Sequence, residues 1–338
     1  MVPNEDFRRA VELIDRSKRV LVTTHLKPDG DACGSVAALC EALQGIGKDV
    51  AALMPSGVPP WYEFVFLERR PAVLGEDITA QELAAGRLGR FDLVVVVDTA
   101  SYAQTRGLEA FLKENRGPVL VMDHHLSSDG LGDVRLVDST ASAAGLIVLE
   151  LARFAGWGLS EAMAQALFVA VATDTGWFQF ANTDARTYRA CAELIEAGAR
   201  APQLYQRLYQ NLSAERLRLM GAMLGTLELH FEGRFATARI LRSHFEQTGA
   251  RYVDTENLVN ECHRIGSVEA SALLVELEDG RIKCSLRSKG HIDVSKVAER
   301  LGGGGHRAAA GMHLPGPVEE AQQCILREMT AIFESLGG

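Results

Sequence analysis

The 338-residue chain lacks a long hydrophobic run: no uninterrupted apolar segment approaches the ~20 residues that a membrane-spanning helix needs. Its first segment, MVPNEDFRRAVELIDRSKR, is charged and helical in pattern and contains no signal-peptide core. We therefore expect no membrane association and a cytoplasmic location.

Paired cysteines are also missing. The six cysteines lie far apart and none belongs to a CxxC pair, which argues against a disulfide framework or a zinc ribbon and indicates buried thiols.

Positively charged residues are too few to balance the acidic ones. The chain has 35 Lys and Arg and 44 Asp and Glu, for a net charge of -9. A protein that grips long nucleic acid is usually basic, at least locally. We expect short or small phosphorylated substrates instead.

Strand-like and helix-like segments alternate in the N-terminal half. RVLVTTH (19–25), FDLVVVVD (91–98) and PVLVMDHH (118–125) are rich in β-branched residues, and GSVAALCEALQGIG (34–47) has helical spacing and ends in glycine. Continuous β-branched runs are typical of strands that are covered on both faces. The sequence therefore predicts an α/β domain with a mostly parallel sheet and helices on both faces.

A second, smaller α/β pattern occupies the C-terminal part. ASALLVEL and IKCSLRS flank EDGR, which predicts a hairpin around an Asp-Gly turn. A helix-rich passage separates the two patterns. We expect a first domain over residues 1–195, a helical linker over 196–225 and a second domain over 226–338.

Ionisable side chains collect at the ends of the predicted strands. Burying so many carboxylates without cations would cost many kcal/mol, and two divalent ions would offset that cost. Carboxylates mixed with a few imidazoles suit Mn²⁺ best, with Mg²⁺ or Co²⁺ as options, rather than Zn²⁺. Eight residues should be reached from one edge of the sheet, where open α/β sheets bind ligands: His25, Asp29, Asp31, Asp98, Asp123, His124, His125 and Asp174.

Four motifs, in this order, resemble those of the DHH phosphoesterase family: HLKPDGDACGS, VVVVDTA, MDHH and VATDTG. The family's triplet stands here as Asp123-His124-His125, and SLRSKGHIDVSKVAERLGGGGHRAAAG resembles the DHH-associated C-terminal domain. The resemblance implies one metal ion held by His25, Asp29 and Asp98, and a second held by Asp31, Asp98, His124 and Asp174, with Asp98 bridging the two.

The resemblance also gives catalytic roles to the rest of the triplet. Two metal ions lower the pKa of a water molecule and clamp the attacking and leaving oxygens of an in-line displacement at phosphorus. His125 would lie beside the ions without binding them, placed to contact a phosphate oxygen or to protonate the leaving group. Asp123 would orient a histidine, although a capping or turn role is equally compatible with the sequence.

The second domain is expected to bind the substrate. In GGGGHRAAAG (302–311) the glycines allow close backbone approach and present N–H groups to an anion. Along RIKCSLRSK, Arg281 and Lys283 are expected only to protect an exposed strand with charge. The predicted substrate-binding residues are Arg287, Ser288, Gly303, Gly304, Gly305, His306 and Arg307.

One segment departs from the family pattern. After TDTG the family often has an aromatic residue followed by Arg, whereas this chain has Gln179. A phosphate contact expected there is in question, and the sequence leaves open whether Arg186 replaces it. Trp177, Phe178 and Phe180 are assigned mainly to the core, with stacking of one of them on a base as the alternative.

Chains of this length, with one catalytic and one associated lobe, resemble the family's bacterial nanoRNase type. That type hydrolyses oligoribonucleotides of two to a few residues and also removes phosphate from 3'-phosphoadenosine 5'-phosphate. The alternatives are a cyclic di-AMP phosphodiesterase and, outside enzymes, a nucleotide-sensing protein, which would be favoured if a metal ligand were missing. All six ligands are present. The oligomeric state stays open, with a homodimer as one option.

Overall fold

The computed structural model describes residues 1–67, 69–105, 107–114, 117–125, 128–290 and 292–336, and leaves the side chains of residues 306, 335 and 336 undescribed. The chain divides into two compact units, Met1–Asn211 and Leu212–Gly338. The division falls within the passage predicted as a helical linker. No helix in the described residues is long and apolar enough to cross a bilayer.

A six-stranded sheet forms the centre of the first unit. Its strands are β1 (Arg19–Thr23), β2 (Asp49–Met54), β3 (Ala72–Val73), β4 (Leu93–Val97), β5 (Val119–Asp123) and β6 (Val134–Val137). They lie in the order β3-β2-β1-β4-β5-β6, and every neighbouring pair is parallel. The chain builds the sheet outward from β1 to β3 and then returns to β4. The β1/β4 pair is therefore the switch point where doubly wound sheets bind ligands.

Helices cover both faces of this sheet. They are α1 (Asn4–Arg16), α2 (Gly30–Gly45), α3 (Ala80–Ala84), α4 (Glu109–Glu114), α5 (Ala144–Ala155), α6 (Glu161–Asp174), α7 (Ala185–Glu196) and α8 (Ala201–Tyr209), with 3-10 helices at Pro60–Phe66 and Tyr102–Thr105. One core lies between the sheet and α1, α2, α5, α6, α7 and α8, and another lies between the opposite face and α3 and α4. The predicted α/β class is confirmed.

Small residues bring α2 and α6 close together. A Cβ atom at Gly34 would lie 2.4 Å from the carbonyl oxygen of Ala166, so only glycine permits this approach. The contact matters for the site because α2 carries Asp31 in its first turn and α6 ends at Asp174.

The second unit contains a mixed sheet. Its strands are β7 (Glu228–His230), β8 (Phe235–Ile240), β9 (Ala270–Glu276), β10 (Ile282–Ser288), β11 (Gly304–His306) and β12 (Ala309–Leu314), in the order β11-β12-β10-β9-β8-β7. The β8/β9 pair is parallel and the other pairs are antiparallel, including the predicted hairpin of β9 and β10.

The helices of the second unit are α9 (Ala214–Leu224), α10 (Arg242–Thr248), α11 (Ser295–Arg300) and α12 (Val318–Leu336), with 3-10 helices at Tyr252–Thr255 and Leu258–Arg264. One core lies between the sheet and α11 and α12, and the other lies under α9 and the second of these 3-10 helices. All six cysteines of the chain are free thiols.

Candidate metal centre

The turn between β1 and α2 supplies the first two predicted ligands. Asp29 is the N-cap of α2, and its Oδ1 accepts a hydrogen bond from the N–H of Ala32 at 3.0 Å. His25 lies just before it, with its Nδ1 3.0 Å from the carbonyl oxygen of Leu26. The cap fixes where the helix begins and so aligns both residues with the carboxyl end of β1.

Asp98 follows β4 directly, at the switch point of the sheet. Its φ of 62° is uncommon for a residue other than glycine. The N–H of Asp98 donates to the carbonyl of Met122 at 2.8 Å, and its Oδ2 lies 3.2 Å from Nε2 of His25. The side chain is 2% exposed. A buried carboxylate therefore stands between the ends of neighbouring strands.

His124 follows β5 and faces three carboxylates. Its Nε2 lies 3.5 Å from Oδ1 of Asp98, 3.5 Å from Oδ2 of Asp174 and 3.8 Å from Oδ2 of Asp31. Its Nδ1 lies 3.2 Å from the carbonyl oxygen of Ala141, which accepts the hydrogen bond. This contact orients the ring so that Nε2 points at the acids.

The start of α5 holds Asp31. Oδ2 of Asp31 accepts from the N–H of Ala144 at 2.6 Å, and Oδ1 accepts from the N–H of Gly145 at 2.9 Å and from the hydroxyl of Ser35 at 3.0 Å. A helix N-terminus favours negative charge, so these bonds stabilise a carboxylate that is 1% exposed.

The geometry brings the six predicted ligands together in two groups. His25, Asp29 and Asp98 form one, and Asp31, His124 and Asp174 form the other, with the ligand atoms of each group within 4.8 Å of one another. Oδ1 of Asp98 and Nε2 of His124 are buried and have no hydrogen-bond partner among the described residues. Buried polar atoms without partners, set among carboxylates and imidazoles, fit divalent cations.

The pKa values of the four carboxyl groups of the centre shift in different directions. Burial raises the pKa of Asp29, and burial reinforced by Asp98 raises the pKa of Asp31 well above its usual range. Burial raises the pKa of Asp174 to about 6, partly opposed by His124. Burial also acts on Asp98, but its close contacts with His124 and His25 outweigh it and lower the pKa of this acid. Asp98 therefore differs from the other three acids in the direction of its pKa shift.

The pKa values of His25 and His124 are raised, which favours the charged form of each ring. Burial opposes their charge, but Asp98 and the other nearby carboxylates outweigh it. The pKa of His25 rises to about 9 and that of His124 to about 10. The surrounding acids therefore favour positive charge at both rings.

His125 lies at the edge of the centre, with its side chain 46% exposed. Its Nδ1 lies 2.8 Å from Oδ1 of Asp123 and 3.7 Å from Oδ1 of Asp98. Asp123 is fully buried, and its Oδ2 has no hydrogen-bond partner among the described residues. Asp98, His124 and His125 also form a third group of ligand atoms within 4.8 Å. The geometry therefore allows His125 to bind substrate or metal.

The predicted substrate-binding residues lie in the second unit. Arg287 is half-buried, burial lowers its pKa, and its Nη1 donates to the carbonyl of Leu286 at 3.0 Å. Among the described residues, none forms an ion pair with it within 4.0 Å. Ser288 ends β10, and its Oγ accepts from the N–H groups of Gly290 at 3.0 Å and Ile292 at 3.3 Å. Its hydroxyl proton is left to donate elsewhere.

Gly304 and Gly305 of the glycine run belong to β11, which pairs with β12. Cβ atoms at Gly303 and Gly305 would lie 2.3 Å and 2.5 Å from backbone oxygens of β12, so the strand pairing itself requires glycine. Gly304 has open space at its Cβ position. Arg307 donates from Nε to the carbonyl of Gly290 at 3.1 Å. The backbone of His306 belongs to β11, but its side chain lies outside the described part of the chain.

The guanidinium donors of Arg186 bind two carboxylates of the first unit. Its Nε and Nη2 donate to Glu150 at 2.7 Å and 2.6 Å, and its Nη1 donates to Asp138 at 2.6 Å. It therefore does not stand in for the Arg that the family pattern has at Gln179, which is exposed. Trp177 and Phe178 pack against the core, as expected, while Phe180 is 58% exposed.

Sequence reasoning missed the backbone groups that hold the ligands. Ala141, Ala144 and Gly145 contact His124 and Asp31 through main-chain atoms, which any residue type provides. Only the small-residue run ASAAG (141–145), which leads into the first turn of α5, could have indicated them, because small residues permit close backbone approach.

The comparisons with known proteins agree with this architecture. The model described as "DHH family, N-terminal domain" matches residues 19–172, and the "DHHA1 domain" model matches residues 233–335.

Relatives named "bifunctional oligoribonuclease and PAP phosphatase NrnA" include proteins from Thermus thermophilus and Bacillus subtilis. The Thermus thermophilus protein is 30% identical over 317 residues, covering 94% of this chain and 90% of the relative. The Bacillus subtilis protein is 27% identical over 310 residues, covering 90% of each.

The fold also matches a solved structure. An exopolyphosphatase-related protein from Bacteroides fragilis has a TM-score of 0.89 at 23% identity, covering 100% of this chain and 99% of that one. Both domain models and a relative matched along nearly its whole length point the same way: the chain belongs to the DHH family of phosphoesterases, with a DHHA1 domain after its DHH domain.

Proposed function

We propose that this chain hydrolyses oligoribonucleotides of two to a few residues to mononucleotides, and 3'-phosphoadenosine 5'-phosphate to AMP. The observation that carries the proposal is the similarity, over 94% of the chain, to a relative named for both activities. The grouping of all six predicted ligands at the switch point of the first sheet supports it.

Two divalent cations are the proposed cofactors. His25, Asp29 and Asp98 would hold the first, and Asp31, Asp98, His124 and Asp174 would hold the second. The mixture of four carboxylates and two imidazoles favours Mn²⁺, with Mg²⁺ or Co²⁺ as substitutes. When bound, such ions supply the activated water and the charge stabilisation that phosphoester hydrolysis needs.

His125 is the proposed proton donor and phosphate contact. The hydrogen bond from Nδ1 to Asp123 raises the pKa of His125, chiefly by stabilising its charged form. Nε2 is then the ring atom left to bind a phosphate oxygen or to protonate the leaving oxygen. The buried Asp123 accepts the hydrogen bond from the Nδ1–H of His125 and so fixes the orientation of the ring.

The DHHA1 domain is the proposed substrate-binding domain. A half-buried guanidinium without an acidic partner gains more from an anion than an exposed one does, so Arg287 suits a phosphate. Ser288 adds a hydroxyl donor, and Gly303, Gly304, Gly305, His306 and Arg307 complete the proposed set. The N–H of Gly303 already donates to the carbonyl of Ala298 at 2.7 Å, so the role proposed for this glycine is to allow close backbone approach.

The net charge of -9 gives little long-range attraction for a long polyanion, so we propose that long nucleic acid is not a substrate. A cytoplasmic location and a homodimer stay predictions.

A substrate panel tests the proposal. Purified protein with Mn²⁺ is assayed against a linear dinucleotide, a four-residue RNA, a twenty-residue RNA, 3'-phosphoadenosine 5'-phosphate, cyclic di-AMP and pyrophosphate. Asp174→Asn serves as the matched inactive control. We expect kcat/KM to be highest for the dinucleotide and measurable for 3'-phosphoadenosine 5'-phosphate.

Other outcomes of the panel favour other functions. Highest turnover of cyclic di-AMP would favour a cyclic dinucleotide phosphodiesterase. Nucleotide binding without turnover of any compound, in protein that binds Mn²⁺, would favour a sensor and overturn the proposal.

A further inference from the structure

The segment that runs from the end of β6 into the first turn of α5, residues 138–145, is linked to all three members of one ligand group; we call it the entry segment. The carbonyl of Ala141 orients His124 at 3.2 Å. The N–H groups of Ala144 and Gly145 bind Asp31 at 2.6 Å and 2.9 Å. One segment therefore sets the direction of two predicted ligands of the same ion.

The link to the third member, Asp174, runs through Asn182. Its Nδ2 donates to the carbonyl of Ser142 at 3.2 Å and to the carbonyl of Asp174 at 3.3 Å. The end of α6 is thereby tied to the entry segment. Asp31, His124 and Asp174 are the three members of one ligand group, and the entry segment connects all of them.

A buried ion cluster anchors the entry segment. Arg186, on the first turn of α7, binds Glu150 of α5 through two parallel N–H···O bonds at 2.7 Å and 2.6 Å. Its third donor group binds Asp138, the first residue of the segment, at 2.6 Å. The side chains of Arg186 and Glu150 are 17% exposed and that of Asp138 is 2% exposed. The cluster fixes where the segment begins relative to α5.

We propose that Arg186 is a positioning residue for the metal ion that Asp31, His124 and Asp174 hold, acting through the entry segment. This inference rests on the proposed two-metal function. Arg186 reaches neither substrate nor metal, because its donors are used by Asp138 and Glu150. The planar guanidinium holds Glu150 through two parallel bonds and Asp138 through a third, and the rotatable donors of an ammonium group do not reproduce this fixed geometry.

Arg186→Lys is the direct test, because it keeps the charge and removes the planar fork. Outer contacts that orient metal ligands typically contribute about 10- to 100-fold in metal affinity. We expect one of the two Mn²⁺ ions to bind about 10-fold more weakly, while the other binds with unchanged affinity. Titration of Mn²⁺ followed by the electron paramagnetic resonance signal of the free ion measures both steps without any turnover.

Arg153→Lys is the matched control. Arg153 of α5 pairs with Glu193 of α7, so this ion pair links the same two helices but does not touch the entry segment. We expect both Mn²⁺ affinities to stay within about twofold of wild type.

Asn182→Ala is a second test variant, for use if Arg186→Lys does not fold. It removes an exposed side chain that contacts the entry segment and Asp174.

Arg186→Lys and Asn182→Ala should both weaken the same Mn²⁺ step, and Arg153→Lys should not. Wild-type affinity for both ions in the first two variants, or equal weakening in the Arg153→Lys control, would overturn the inference alone. A wild-type protein that does not bind two Mn²⁺ ions would overturn the proposed function, and with it this inference.

Discussion

Asp98→Asn is the substitution that most directly tests the two-metal centre. Asp98 is the acid that belongs to more than one of the ligand groups, and its two oxygens face different histidines: Oδ2 lies 3.2 Å from His25 and Oδ1 lies 3.5 Å from His124. The amide of Asn has nearly the same volume but carries no charge and replaces one oxygen with a hydrogen-bond donor. Both proposed ions should therefore lose a ligand at once.

The expected magnitudes follow from mass action. Binding of one ion to the folded protein at a free concentration about 100 times Kd stabilises the fold by about 2.7 kcal/mol, so two ions contribute about 5.4 kcal/mol. For a unit of this size, each kcal/mol shifts Tm by roughly 2–4 °C, so saturating Mn²⁺ should raise the Tm of the wild type by roughly 10–20 °C. Asp98→Asn should show almost none of this shift. Turnover of a dinucleotide should fall at least ~1000-fold, about 4 kcal/mol in barrier.

Thermal unfolding with and without Mn²⁺, paired with metal analysis and dinucleotide hydrolysis, provides the readout. A far-UV circular dichroism spectrum equal to that of wild type shows that the variant is folded. If Asp98→Asn keeps the Mn²⁺-dependent shift in Tm and turnover within about tenfold of wild type, Asp98 does not bridge two ions.

Three further substitutions test other parts of the structure. His125→Ala should keep the Mn²⁺ content of wild type while turnover falls ~100-fold or more; metal loss equal to that of His124→Ala would instead make His125 a ligand. Hydrogen bonds that outweigh burial lower the pKa of Asp138, so it contributes stability above pH ~4 that is lost as the pH falls further. The free energy of unfolding of Asp138→Asn should decline less steeply than that of wild type between about pH 4 and pH 2, and parallel curves would refute this. Gly34→Ala should destabilise the fold by about 1–3 kcal/mol in denaturant unfolding, because a Cβ atom would lie 2.4 Å from the carbonyl oxygen of Ala166; an unchanged midpoint would argue against this packing.

The predicted ligands could be located from the sequence because strands fix their place. An apolar run such as LVVVV forms a buried strand, and a polar residue that follows it must lie at the carboxyl edge of the sheet. Asp98 and His124 follow neighbouring parallel strands, so a prediction of the sheet already placed them near each other. Asp29 could be recognised for a second reason, since its N-cap role depends only on local sequence.

The positions of Asn182 and Arg186 could not be predicted in this way. The Asn182–Ser142 contact joins residues 40 positions apart, and the Arg186–Glu150 contact joins residues 36 positions apart. The sequence has no periodic signal for the angle at which α7 meets α5. The glycine run shows the same difficulty. Glycine is equally suited to close strand pairing and to anion contact. The sequence alone does not distinguish these two roles, because the pairing of β11 with β12 is seen only in the folded sheet.

The charge pattern of the centre connects the fold to the proposed chemistry. Burial raises the pKa values of Asp31 and Asp174, while the adjacent His124 and His25 lower the pKa of Asp98 despite its burial. Burial leaves little water to stabilise four carboxylates, so the centre favours added positive charge, from protons or from cations. A divalent ion can bind His25 or His124 only after the ring loses its proton, so metal binding and proton release are one event. The same burial that raises the pKa values of the carboxylates therefore also favours the binding of divalent cations.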